Sequence, residues 1–343
     1  MKFGPVPTAE AIGCILAHST ESADGRIKKG RMLTTKDIAS LQTTGISELV
    51  VARLDDTDIL EDDAALRIAR ALNCDDDFCG LALAEPGTGR VNLHANRSGL
   101  LDVQREAVDR LNRIDPAITL ATLPNDTLVE EGRMVATVKI IPFAVPHTSV
   151  EAAEALAKES VLLSVHAPTP QRVFLIQTEL PTIKTSVLDK TVKRLADRLE
   201  PSKSEVTREW RVPHTLADVE EALRTIDREF EIDDDRDLII IFGASAISDP
   251  ADVIPAALEA VGGTVLTVGM PVDPGNLLMT GRLGGRNVIG APGCARSPAE
   301  NGFDWVLQRM IHVGQCSPEW ISGLGVGGLL MEIHDRPQPR DGA

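Results

Sequence analysis

The chain has 343 residues, with 35 Lys and Arg against 51 Asp and Glu, a net charge of −16. That length holds two or three domains, each able to bury its own core, and 43% hydrophobic with 25% charged residues is globular composition. The acidity excludes general nucleic-acid or anionic-membrane binding, and 3% aromatics with no Tyr exclude base-stacking platforms and aromatic cages.

In chain order, the first half interleaves helical and strand patterns with acidic clusters at Asp55-Asp56, Glu61-Asp62-Asp63 and Asp75-Asp76-Asp77. Such clusters are read as solvated loops or helix N-termini. Ala65, Leu66, Ala69 and Leu72 share one face of a helix starting near Asp62, and a second helix is expected over Asp102 to Leu111. The β-branched run from Met134 to Phe143, closed by Pro142, reads as a strand.

From about residue 170 strands and helices alternate. Arg172 to Thr178 is a strand, and Ser186 with Asp189 forms the capping pattern of a helix whose stripe is Leu188, Val192, Leu195 and Leu199. A strand over Glu205 to Val212 leads to a second capping pair, Thr215 with Asp218, and to the stripe Leu216, Val219, Leu223, Ile226 and Phe230. Asp237 to Phe242 is apolar almost throughout, as a central parallel strand covered on both faces must be. A helix capped by Asp252, with Pro255 in its first turn, ends at Gly262-Gly263 before a strand over Thr264 to Val268. This succession predicts a three-layer α/β domain with a mostly parallel sheet over 169–312. A mixed α+β region over 1–168 and a tail or linker over 313–343 complete the expected organisation.

Ligands of open α/β sheets bind at the carboxyl ends of the strands. Three loops fit that place: Gly243-Ala244-Ser245, Pro274-Gly275-Asn276 and Pro292-Gly293-Cys294. Small residues let a ligand approach backbone N–H groups, although a Pro-Gly pair is also an ordinary tight turn. The segment Thr264–Ala299 holds Arg282, Arg286 and Arg296 against the single acid Asp273, so it carries +2 inside a chain of −16 and is the expected place for a phosphate. Asp249 and Asp252 serve equally well as helix caps or as carboxylates for Mg²⁺.

Other signals are weak. Gly323-Leu-Gly-Val-Gly-Gly328 matches GxGxxG with too little chain after it for a βαβ unit, and no GxxxxGK[ST] loop exists. His214, beside a helix cap, is expected to support that turn. Five cysteines, an odd number without CxxC spacing, indicate neither a disulfide framework nor a zinc site. The opening MKFGPVPTAEAIG lacks the apolar core of a secretory signal, and the longest strongly apolar run, Leu238 to Phe242, cannot span a bilayer; a soluble, cytoplasmic protein is expected.

The three loops together resemble the molybdopterin-binding domain of molybdenum-cofactor biosynthesis proteins. The resemblance rests on Gly243-Ala-Ser245, on Asp252-Val-Ile-Pro255-Ala-Ala-Leu258 for D-x-x-P-x-A-L, on Pro274-Gly275-Asn276-Leu277 and on Ala291-Pro292-Gly293-Cys294-Ala295. It is strongest over 170–312. Over 1–60 it is looser: Glu10-Ala-Ile-Gly-Cys-Ile-Leu-Ala, Gly30-Arg-Met-Leu-Thr-Thr-Lys-Asp-Ile and Gly45-Ile are similar to the opening of the molybdopterin molybdotransferase branch. Gly89-Arg-Val-Asn-Leu, Thr119-Leu-Ala-Thr-Leu-Pro, Val138-Lys-Ile-Ile-Pro and Gln177-Thr-Glu-Leu-Pro bring the chain closest to the part fused ahead of molybdenum-cofactor cytidylyltransferase-like domains.

The resemblance implies a ligand, molybdopterin or the molybdenum cofactor, held by Thr178, Gly243, Ala244, Ser245, Asp249, Asp252, Pro274, Gly275, Asn276, Pro292, Gly293, Cys294 and Arg296. Its phosphate would face Arg296 or the Arg282/Arg286 pair. It also implies a homo-oligomer, and a molybdoenzyme or nucleotidyltransferase as partner. The chain departs from the family at Asn276, where the family has Lys, and at Cys294, where it has Asn. Gln177-Thr178-Glu179-Leu180 stands where the family has Gly-Asp-Glu-Leu. These changes remove a point charge and a carboxylate from the expected site, so binding needs fewer intact groups than chemistry. The leading expectation is a binding module for cofactor maturation or handover. The alternatives are a molybdotransferase in which Asp249 and Asp252 organise Mg²⁺, and a non-catalytic partner-docking domain.

Overall fold

The computed structural model describes residues 1–72, 76–233 and 236–330. The chain divides into two compact units, Met1–His166 and Ala167–Ala343.

The first unit is α+β. Lys2–Pro7, Glu48–Arg53 and Ile15–Leu16 make a small antiparallel sheet, packed with helix Thr35–Thr43 around Leu16, Leu33, Leu41 and Val51. Thr34 and Asp37 form a reciprocal capping box at the start of that helix. The hydrogen bond from Thr34 holds the Asp37 carboxyl below the usual range. A larger core joins two further antiparallel sheets to helices Glu61–Leu72 and His147–Glu159, which Arg67 ties together by a two-pronged bond to Glu154 at 2.8 and 2.6 Å. The first of these helices and the strand Met134–Ile140 lie where the periodicity places them. The second expected helix is shorter, Arg105–Asn112, because Gly99–Val103 pairs into a sheet on both of its edges. Cys79 is disulfide-bonded, a bridge that the odd count and the lack of CxxC spacing did not indicate; a single bridge requires neither an even count nor a CxxC pair. Cys74 lies outside the described residues.

The second unit is a three-layer α/β domain. Its elements are β1 (Arg172–Glu179), α1 (Thr185–Leu199), β2 (Glu205–Pro213), α2 (Leu216–Glu229), β3 (Asp237–Phe242), α3 (Val253–Ala260), β4 (Thr264–Val268), β5 (Met279–Leu283), β6 (Arg286–Ala291), α4 (Gly302–Val313) and α5 (Pro318–Gly323). The sheet order is β2-β1-β3-β6-β5-β4. Strands β2, β1, β3 and β6 are mutually parallel. β5 runs against both neighbours and turns into β6 through Gly284-Gly285, where Gly284 has φ +57.

Alternate residues of the central strands serve opposite faces, which is why β3 can be apolar throughout. Leu238, Ile240 and Phe242 join Val173 and Leu175 of β1 under α1 and α4. Ile239 and Ile241 join Phe174 and Ile176 under α2 and α3. Thr215 caps α2 as its spacing predicts, accepting from Asp218 N–H. At α1 the helix starts one residue before the expected cap: Lys184 is in the capping position without a side-chain bond, and Ser186 lies within the first turn.

The expected tail from 313 is shorter than its sequence suggested. Cys316, Ile321 and Leu324 pack into the core with α4, and Asp273 N–H donates to Gly328 O at 2.8 Å, so residues to 330 belong to this unit. Gly328, the last residue of the GxGxxG match, is therefore a packing position. Residues 331–343 lie outside the described set. Among the described residues no helix is long and apolar enough to cross a membrane.

At the amino ends of the central strands sits a buried ion cluster. Asp237 of β3, fully buried, accepts from Arg172 of β1 at 2.7 Å and from fully buried Arg286 of β6 at 3.0 Å. Arg286 also reaches Asp227 and the Phe230 carbonyl. Removing one partner of a buried pair strands the other charge, so Arg286→Met is expected to destabilise this unit by about 3–5 kcal/mol. The three tryptophans, Trp210, Trp305 and Trp320, all lie in this unit. Urea unfolding followed by tryptophan fluorescence therefore reads the effect, and a loss under about 1 kcal/mol contradicts it.

Candidate ligand-binding site

The chain leaves β1 through α1 to β2 on one side, then returns through α2 to β3 on the other side of β1. The loops after β1 and β3 consequently diverge to opposite faces of the sheet, α1 to one and α3 to the other. Such a reversal opens a crevice at the carboxyl ends of the strands. A cavity of about 390 Å³ lies there. Its walls are Thr182, Ile183, Lys184 and Val187 from the loop and first turn of α1, Gly243 to Ala246 from the loop after β3, and Gly293 with Arg296 from the loop after β6.

Arg296 is the centre of this arrangement. Its Nη1 donates to Gln177 Oε1 at 3.0 Å and to Thr191 Oγ1 at 2.6 Å, and its Nη2 donates to the Gly243 carbonyl at 3.2 Å. The guanidinium also stacks on Phe242 at 5.1 Å. Every protein acceptor is neutral. Gln177 stands between Arg296 and the nearest relayed acid, since its Nε2 donates to Glu209 at 2.8 Å. Burial alone pushes the Arg296 pKa down, with no carboxylate to offset it. A guanidinium nonetheless stays charged in a protein. Of its five N–H groups, three are used by these bonds, leaving two uncommitted among the described residues.

The loop carrying Arg296 is held from α1 and α4. Arg198 of α1 donates to Asp304 at 2.6 Å and to the carbonyls of Ala295 and Ser297 at 2.9 and 2.8 Å. Asn301 caps α4 in a reciprocal box with Asp304. The first turn of α1 has no capping side chain, its Val187 N–H bonds the Lys184 carbonyl at 2.9 Å, and this positive end of the helix dipole borders the crevice through Lys184 and Val187.

The other residues read from sequence are distributed as follows. Gly243, Ala244, Ser245, Gly293 and Arg296 line the cavity. Thr178, fully buried, stands behind its wall and accepts from Ala244 N–H at 2.7 Å. Pro292 starts the short turn over Gly293–Arg296, and Cys294 is half-buried 4.0 Å from Asn301 Oδ1. Asp249 accepts from Ala251 N–H, and Asp252 caps α3 while accepting from Ser248 and Val253 N–H. Three of their four carboxylate oxygens are thus committed to backbone.

Pro274, Gly275 and Asn276 lie at the same end of the sheet, beside β4 and β5, and outside the cavity lining. The Pro274 carbonyl accepts from Gly302 N–H at 2.8 Å, and the Asn276 carbonyl from Met270 N–H at 2.9 Å, so this loop seats the start of α4. Arg286, expected near a phosphate, is instead neutralised inside the amino-end ion cluster. Arg282 lines a different cleft, with Thr169 and His312, at the opposite end of the strands. Among the described residues no group of three or more His, Cys, Asp or Glu is placed to hold a metal ion. The wall from Thr182 to Val187 is not among the residues expected from the sequence. The available signal was the strand-to-helix junction itself, one turn before the stripe of α1.

A family model of a domain of unknown function (DUF8806) matches residues 5–53. No curated protein matches the chain. Among solved structures, the crystal structure of the molybdopterin biosynthesis MoeA protein from Pyrococcus horikosii aligns over 91% of this chain and 73% of that one, at 11% identity and a TM-score of 0.27.

Two loop glycines are expected to behave in opposite ways. Gly275 has φ +138, and a Cβ there would lie 2.9 Å from the Gly302 backbone; a Cβ on Gly293 meets nothing within 4 Å. Gly275→Ala should cost about 1–3 kcal/mol of stability, whereas Gly293→Ala should stay within about 0.5 kcal/mol of the parent. Parallel urea titrations check the pair, and equal losses contradict the assignment of one loop to packing and the other to the open crevice.

Proposed function

We propose that the second unit binds molybdopterin, or the molybdenum cofactor, through its terminal phosphate during cofactor biosynthesis, maturation or handover. The observation that carries this reading is a half-buried arginine with no carboxylate partner, in a cavity at the strand reversal. Two uncommitted N–H groups on one guanidinium match two oxygens of a phosphate. The uncapped turn of α1 and Lys184 add positive potential on the facing wall. A cavity of about 390 Å³ is within the range of small-molecule sites. The pterin end is supported by the resemblance of the Gly243 and Pro292 loops to the molybdopterin-binding domain.

Binding is favoured over molybdate insertion by the state of the two carboxylates. Mg²⁺ needs several oxygen ligands in near-octahedral geometry. Asp249 and Asp252 hold turn and cap N–H groups with three of their four oxygens, a structural role that calls for no ion, and among the described residues no group of three or more His, Cys, Asp or Glu is placed to hold a metal, so no step is routed through one.

Titration of the protein with purified molybdopterin is expected to give saturable binding. Gly293→Trp fills the crevice while leaving the Arg296 contacts in place, and should abolish saturation. Arg296→Leu removes charge-assisted hydrogen bonds of about 1.5–3 kcal/mol, a loss of roughly 10- to 100-fold. A pterin lacking the phosphate should bind the parent protein as weakly as molybdopterin binds Arg296→Leu. Unchanged affinity in both variants overturns the reading.

A further inference from the structure

The geometry points to His214 as a positioning residue that fixes the Gly243–Ala246 wall through Thr178. This rests on the reading of that crevice as a ligand site. Thr178 Oγ1, fully buried at the end of β1, accepts from Ala244 N–H at 2.7 Å and lies 2.8 Å from Nδ1 of His214. A threonine hydroxyl has one proton and two lone pairs. Ala244 N–H takes a lone pair, so the hydroxyl proton is left for the Nδ1 lone pair, and the buried Thr178 hydroxyl is satisfied both as donor and as acceptor. That assignment makes His214 the neutral Nε2–H tautomer, since a proton on Nδ1 would leave the Thr178 hydroxyl proton without an acceptor among the described residues.

The imidazole is itself held. His214 N–H donates to the Glu179 carbonyl at 2.9 Å, and the next residue, Thr215, caps α2. The connection from β2 to α2 thus grips the end of β1, and the end of β1 grips the loop after β3. The loop has two such anchors close together: the Gly243 carbonyl is taken by Arg296, and the Ala244 N–H by Thr178. Ser245 and Ala246 beyond them are exposed at the cavity. Losing the Thr178 anchor leaves the wall fixed from one side only. A histidine that merely supported the turn into α2 would have no effect at Ala244.

The test uses the full chain and four substitutions: Thr178→Val, Thr178→Ser, His214→Phe and His214→Asn. Serine keeps the hydroxyl, and the asparagine amide oxygen can replace the Nδ1 lone pair. Amide hydrogen exchange at Ala244 is expected to quicken about 3- to 10-fold in Thr178→Val and His214→Phe, and to return toward the parent rate in the other two, matching the net value of one hydrogen bond. Affinity for inorganic phosphate, read by calorimetry, should fall by a similar factor in the first pair and recover in the second. Parent-like exchange and affinity in His214→Phe overturn the proposal, as does failure of His214→Asn to restore either quantity. If the parent protein binds neither phosphate nor molybdopterin while Ala244 exchange follows the pattern, the positioning role stands and the ligand reading falls.

Discussion

Three neighbouring parallel strands, β1, β3 and β6, are clamped by arginines at both ends, and the two clamps differ in what happens to the charge. At the amino ends Asp237 takes Arg172 and Arg286 together, so a fully buried guanidinium meets a fully buried carboxylate. At the carboxyl ends Arg296 reaches Gln177 of β1, Gly243 after β3 and Thr191 of α1, all neutral acceptors. Both clamps hold the same strands. Only the first is electrically closed. A half-buried cation with only neutral acceptors is less well compensated than a paired one, and Arg296 lines the crevice made by the strand reversal.

The rest of the unit keeps that cation in place. Arg198 holds the carbonyls on either side of Arg296 and is fixed in turn by the cap of α4. The Pro274–Asn276 loop seats α4 through Gly302, where two glycine backbones meet too closely for side chains. That loop therefore acts on the crevice at one remove, through the helix that anchors the Arg296 turn. Loops with similar composition thus do different work: the one after β6 borders the cavity, and the one before β5 supports it.

This distinction marks how far the sequence could be read. The layer structure was legible because local rules settle it: Leu238–Phe242 is too uniformly apolar for anything but a central strand, and Thr215 with Asp218 announces a helix start. The crevice was legible in outline, since Gly243–Ser245 and Gly293 do stand at strand ends around one cavity. The division of labour among the arginines was not. Arg286 and Arg296 lie ten residues apart in one basic segment, and composition treats them alike. What separates them is Asp237, 49 residues before Arg286, which arrives only when β3 pairs with β6. The same holds for the wall from Thr182 to Val187, whose role depends on the order of strands, and for Cys79, whose spacing announced no bridge.

Net charge and local charge then answer separate questions. A total of −16 sets solubility and discourages polyanionic partners. Exposed acids beyond roughly 8–10 Å are screened at physiological salt, whereas a partly buried guanidinium is screened much less. The acid linked most directly to Arg296 is Glu209, and it acts through the Gln177 amide, which orients the guanidinium without neutralising it. Replacing that amide with a carboxylate would close the second clamp as Asp237 closes the first. The strands would still be tied, and the guanidinium charge would be neutralised from within the protein. A single neutral side chain at Gln177 thus separates a closed ion pair from a guanidinium whose charge is left unpaired in this fold.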